Sequence, residues 1–346
     1  GYGGVGSLTL VSNVAAGIVG LTYGATVSDC ENKGEVYSIL KNTDNSESDY
    51  NTNTRATIGG IVGNQQGTIS DCVNSGKVEA YWVTSVHNAA YKQNFVTQAG
   101  GISGGSYNSA DKTASSIIDC THSGKLIVTC DSSQSNNAIG GIVGWPGSES
   151  GQTGSISGCI MSGEVEADGF GLMRVAGISG GSGPISGGKV SGTITITGKI
   201  VGSYVGGVVG YQAKVYPVTD VSVDGLIINY NNSTAMNSVI YGIGGLIGQP
   251  QNANGAVFGE GCSVLVTINS NHSRDIGFLG GRNTNQSGTN TMTFGSAEKP
   301  ITVRKGCKII NSGNVVAEIA SESDVENVVI TSGSVGNLMG ALWYSN

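Results

Sequence analysis

The sequence predicts an all-β fold, a right-handed parallel β-helix (β-solenoid) of about eight rungs, and three observations carry that prediction. A phrase of small residue, Gly and large apolar residue returns at Gly17-Ile18, Gly60-Ile61, Gly101-Ile102, Gly141-Ile142, Gly177-Ile178, Gly207-Val208, Gly245-Leu246 and, with Ile276 in the first place, Gly277-Phe278. The intervals are 43, 41, 40, 36, 30, 38 and 32 residues, a period that marks stacked units unable to bury an apolar face singly. The runs between turn residues are short and β-prone, and none has a 3.6-residue amphipathic period. Glycine supplies 58 of 346 residues and proline only 5, without the strict three-residue period of collagen.

The second unit shows how a turn is built. Ile58-Gly59-Gly60-Ile61-Val62-Gly63, Gly67-Thr68-Ile69-Ser70-Asp71-Cys72-Val73-Asn74 and Gly76-Lys77-Val78-Glu79-Ala80 read as three strand-forming runs parted by Gly, Asn and Ser. Val27, Ile69, Ile117 and Ile156 each precede Cys30, Cys72, Cys120 and Cys159 by three residues. Positions three apart lie on opposite faces of a flat strand, so inward placement of both requires a corner between them. Val36, Val78, Leu126 and Val165 follow six residues after each Cys, and Gly34, Gly76, Gly124 and Gly163 stand two before them. Those glycines are the expected site of a second corner with φ > 0. Later units keep the rhythm without the Cys, through Pro184-Ile185 to Thr193-Ile194 and Val221 to Ile227. One domain over residues 1–346 is expected, with 1–13 an N-terminal cap or partial rung, 14–339 repeats and 340–346, including Leu342, Trp343 and Tyr344, a C-terminal cap.

Composition narrows the function. Charged residues are only 12% of the chain, and Ser, Thr and Asn supply the polar surface, as suits an extracellular or cell-surface protein. The net charge of −7 carries no basic stripe, so nucleic acid and anionic membrane are not expected partners. No run reaches the roughly 20 apolar residues of a membrane helix, and no membrane insertion is expected. The chain opens on Gly1 without a signal segment and reads as a mature piece.

Seven cysteines, Cys30, Cys72, Cys120, Cys130, Cys159, Cys262 and Cys307, include no C-x-x-C pair and are odd in number. Parallel Cβ vectors on adjacent rungs suit a disulfide poorly, so a buried file of free thiols is expected rather than a bridge or metal site. Asp29, Asp71 and Asp119 each precede a Cys and form a column near a corner, solvated or cation-bound, the former being favoured. Glu35/Lys77 and Lys125/Glu164 read as opposite-charge neighbours on adjacent rungs. Gly177-Ile178-Ser179-Gly180-Gly181 lacks the Lys-Ser/Thr of a phosphate loop and reads as a turn. Tyr81, Trp82, Tyr91 and Phe95, in the insertion after Ala80, are the candidate ligand-binding loop, able to stack on sugar rings, anchor a protein or cover the wall. Trp145-Pro146 is a second, lesser candidate. No catalytic residue, metal ligand or cofactor is assigned: acidic residues are scattered, and Arg55, Arg174, Arg274, Arg282 and Arg304 lie in separate units.

Gly-Gly-Ile-Val-Gly followed by Gly-Thr-Ile-Ser-Asp-Cys-Val-Asn-Ser-Gly-Lys-Val, at Gly59 to Val78, resembles the GLUG-motif repeats of bacterial surface proteins, including the non-catalytic regions of immunoglobulin A proteases. The likeness runs from Ala16 to Ala167 and reduces to rhythm beyond Gly255. It implies a secreted or surface-bound protein. The zinc helix of those proteases needs His-Glu-x-x-His, and His87, His122 and His272 form no such pair. The expected function is a non-catalytic stalk or adhesion module presenting loops to a glycan or host surface protein. The alternatives are an accessory region of a surface peptidase and a carbohydrate-active β-helix enzyme.

Overall fold

A full repeat lays down five short strands, as in the second: Arg55–Gly59, Val62–Gln65, Gly67–Ser70, Val73–Asn74 and Val78–Thr84, here called positions a to e. The computed structural model describes residues 12–42, 55–84, 96–106, 115–146, 154–213, 215–233, 240–250, 255–271, 275–281 and 291–331, and no helix occurs among them. Five strands stand where the sequence suggested three because corners at Gly60-Ile61 and Asp71-Cys72 each divide a run. Position e of one coil runs straight into position a of the next in Lys125–Gly140, Glu164–Ala176 and Thr193–Gly206.

Equivalent strands of successive coils pair in parallel, and eight coils are laid down from Ser12–Ala16 to Ile276–Gly277. The protein is a parallel β-solenoid. The register is the one the hydrophobic columns imply: Val27, Ile69, Ile117, Ile156, Ile185 and Val218 are partnered in turn. So are Val36, Val78, Leu126, Val165, Ile194, Ile228, Ile268 and Ile309. Both columns enter one apolar core that runs the length of the stack. Burial of each such side chain is worth about 1.5–3 kcal/mol, but only once a neighbouring coil covers it.

The corners correct one expectation. Positive φ falls on Asp29 (55°), Asp71 (54°), Asp119 (50°) and Asp220 (56°), and on Gly158 (64°), Gly187 (65°) and Gly261 (68°) at the same place in other coils. Gly34, Gly76, Gly124 and Gly163 are not among the positive-φ residues. The last three are glycine for a different reason: a Cβ at Gly76, Gly124 or Gly163 would overlap the carbonyl oxygen of Gly34, Gly76 or Gly124 on the preceding coil. Aspartate tolerates the left-handed conformation better than most residues because its short side chain can bond locally.

The two ends of the stack differ. After the eighth coil, Asn314–Glu318, Ser323–Val325 and Val328–Thr331 turn back and pair antiparallel with Lys308–Asn311, Ile301–Val303 and Thr291–Phe294. These strands close part of the last coil's edge within the stretch read as repeats; residues 340–346 lie outside the described residues, as do 1–11. At the other end Ile18 and Leu21 are 45% and 51% exposed, whereas Ile61 and Asn64, their counterparts on the second coil, are buried.

Candidate functional site

The proposed aromatic loop is divided by strand alternation. Tyr81 points outward from position e, while its neighbour Trp82 is 5% exposed and donates from Nε1 to Ser38 Oγ at 3.1 Å. Successive side chains of a strand take opposite faces, so Trp82 belongs to the core and cannot stack on a surface ligand. Tyr91 and Phe95 lie outside the described residues. Trp145 is also mostly covered; the Arg174 guanidinium lies 5.1 Å from its ring and 4.0 Å from that of Tyr211, which stacks on Tyr204 at 5.5 Å. This second apolar cluster, separate from the main core, ties three coils together.

The outward face of position e carries a hydrogen-bonded polar surface. In the fifth, sixth and seventh coils it carries three files: Thr193–Ile227–Thr267, Thr195–Asn229–Asn269 and Thr197–Asn231–Asn271. Asn269 Nδ2 donates to Asn229 Oδ1 at 2.8 Å, and Asn229 Nδ2 to Thr195 Oγ1 at 3.5 Å. Asn271 Nδ2 donates to Asn231 Oδ1 at 3.2 Å, and Thr197 Oγ1 to Asp168 Oδ1 at 2.7 Å. Below this patch, on the fourth coil, stand Glu164, Glu166 and Asp168. Lys125 holds Glu164 at 3.3 Å and Glu166 at 2.6 Å, so that expected pair is made and widened to three groups. Lys77 instead bonds Glu79 on its own strand and lies over the Tyr37 ring, with Glu35 acting on it only at longer range. The sequence offered a signal for the patch in the alternation Thr193-Ile194-Thr195-Ile196-Thr197, which places three threonines on one face.

Inside, a polar file was missed. Asn32, Asn74 and His122 are in-register partners at position d, followed by Met161, Val190, Val223, Val264 and Val303. Asn32 Nδ2 donates to Asn74 Oδ1 at 2.9 Å, and the Asn74 amide meets His122 Nδ1 at 3.2 Å. His122 is fully buried, its Nε2 has no hydrogen-bond partner, and burial pushes its pKa down to about 4. Gly17, Gly60 and Gly101 of the recurring phrase face this file: a Cβ on Gly60 would overlap the Asn74 amide, and one on Gly101 the His122 ring. His87 and His272 lie outside the described residues.

All seven cysteines are free; six are buried and Cys30, on the first coil, is partly exposed. Cys72, Cys120 and Cys159 each donate to the carbonyl two residues back, at 3.1, 3.3 and 3.4 Å, and desolvation raises the Cys72 thiol to about 11. The Asp29, Asp71 and Asp119 carboxylates are solvent-exposed at their corner. Among the described residues no group of three or more His, Cys, Asp or Glu side chains is placed to hold a metal ion.

The GLUG motif model matches residues 54–79, which span one coil from the start of position a to the start of position e. The second coil is a GLUG motif. The match fixes what the motif encodes physically: the Gly-Gly corner, the inward Ile69, the left-handed Asp71 and the close-approach Gly76. The other coils repeat that geometry around the GLUG coil with looser sequence. Neither a curated protein nor a solved structure matches the chain. No helix among the described residues is long and apolar enough to cross a membrane.

Proposed function

We propose that this GLUG-motif solenoid is a non-catalytic extracellular stalk or adhesion module of a bacterial surface protein, presenting its outer surface to a glycan or host surface protein. The observation that carries this reading is the division of labour within a coil. Inward columns are taken up by stacking, and the longest connections fall at two corners. Connections between positions e and a run from Asn42 to Arg55 and from Thr84 to Val96, and those between b and c from Ser106 to Ser116 and from Trp145 to Ser155. A stiff stack with variable corners is a scaffold on which surface loops can change at little cost to folding. Composition supports the extracellular placement: few charges and an amide- and hydroxyl-rich surface. The free thiols do not argue against an oxidising compartment, since burial raises the pKa of Cys72 and Cys262 and leaves little thiolate.

The test is binding of the purified chain to a glycan array and to immobilised mucin and host surface proteins. Specific retention on either supports presentation. Turnover of a bound glycan would instead make the solenoid a carbohydrate-active enzyme and overturn the proposal.

A further inference from the structure

We infer that the outward face of position e in the fifth to seventh coils is a binding site for a neutral glycan. The inference rests on the presentation reading above and names the surface and ligand class it would use. The patch is a three-by-three array: Thr193, Thr195 and Thr197; Ile227, Asn229 and Asn231; Thr267, Asn269 and Asn271. Coils are about 4.8 Å apart and alternate residues about 7 Å, so the array covers about 10 by 13 Å, the scale of a few sugar rings.

Three features select the ligand. The first is charge: none of the nine side chains is ionisable. Asp168 borders the array on the fourth coil with Glu164 and Glu166, both held by Lys125, and Lys308, paired with Glu318, borders it on the eighth. With its rim charges largely paired, the array offers a charged polymer no counter-ion and favours a neutral one.

The second is hydrogen bonding. Each carboxamide carries two donors and an acceptor oxygen with two lone pairs, and at Asn229 and Asn269 the bonds along the file use only part of that capacity. Asn271 is more fully committed, since its Nδ2 also donates to Asn232 O at 2.8 Å and its Oδ1 accepts from the Asn232 N–H at 3.1 Å. Vicinal hydroxyls both donate and accept, so a sugar can answer such a surface, whereas an apolar partner would strand it. Bonding along the files also orders the side chains in advance, which lowers the entropy lost on binding.

The third is the mixture of surfaces. Ile227, 40% exposed, sits at the edge of the amide files and offers an apolar contact to the C–H face of a sugar ring. The strands beneath are already hydrogen-bonded on both sides, Thr193–Gly198 to the sixth coil and Ser222–Tyr230 to the seventh. An added peptide strand therefore finds no open backbone edge here, and recognition must run through side chains.

The experiment uses the intact chain, a glycan array of neutral and acidic oligosaccharides, and calorimetry with the best neutral hit. Asn229→Ala/Asn269→Ala is compared with Ser155→Ala/Ser186→Ala on the separate face of position c. Matched circular dichroism and melting temperature establish that both variants fold. The expected result is binding to neutral glycans that weakens roughly tenfold or more in the asparagine variant and is unchanged in the serine variant. Neutral-glycan binding indifferent to Asn229 and Asn269 would overturn the site and leave presentation standing. Retention of acidic glycans only, or of host protein with no glycan, would overturn the ligand class, and no binding to any surface would remove both readings.

Discussion

A single methyl group is decisive at Gly101 and irrelevant at Gly20. A Cβ on Gly101 would overlap the Gly141 carbonyl and the His122 ring, whereas one on Gly20 meets nothing within 4 Å. Gly101→Ala is expected to cost about 1–3 kcal/mol, the usual penalty of overpacking, and Gly20→Ala to be neutral or slightly stabilising. Urea midpoints of the two variants check this. His122 gives a second prediction. Its pKa is about 4 in the folded chain against 6.5 for the free side chain, because burial disfavours the charged ring. The unfolded chain therefore binds more protons between those values, and stability falls as pH drops from about 6.5 to about 4, by about 3 kcal/mol in all. His122→Asn continues the amide file from Asn74 and should flatten that dependence in urea titrations at pH 7 and pH 4; an unchanged slope would count against the buried neutral ring. The apolar columns were readable because Ile and Val recur at fixed offsets from each Cys. The Asn32–Asn74–His122 file was not, since Asn and His signal turns and surfaces unless neighbouring coils happen to satisfy their amides inside.

At the level of the corner, backbone conformation outranks side-chain chemistry. Asp71 holds φ at 54°, and Gly158 and Gly187 hold the same place at 64° and 65°. Asp71→Gly should therefore be tolerated within a few tenths of a kcal/mol, whereas Asp71→Val, which pays the left-handed penalty of a β-branched residue, should cost about 1–2 kcal/mol or more. Thermal melts of the pair decide between this and a cation-binding role, for which both substitutions would be equally harmful and calcium would raise the melting temperature. The sequence pointed to φ > 0 at Gly76, and the error has a physical source: glycine serves close approach as well as left-handed backbone, and one sequence does not distinguish them. The outward patch of position e was written plainly in Thr193-Ile194-Thr195-Ile196-Thr197, but no repeat phrase drew attention to it. Within the proposed aromatic loop only Trp82 is corrected: it is adjacent to the exposed Tyr81, and adjacency on a strand separates side chains.

Over the whole molecule, stability is a sum of coils and the interfaces between them, so damage should spread from where it is made. Hydrogen exchange after Gly101→Ala is expected to show lost protection in the second to fourth coils before the sixth and seventh; uniform loss would indicate a single cooperative unit instead. The central claim is that residues far apart in sequence lie one coil spacing apart along a common axis. Double electron–electron resonance tests it directly, with one label at Glu79 and the other at Thr195, Asn229 or Asn269, attached by chemistry that spares the native thiols. The stacked register predicts separations near 14, 19 and 24 Å before label arms are added, rising by about 5 Å with each coil. Separations that fail to climb in that order, or that scatter broadly at every position, would contradict the solenoid.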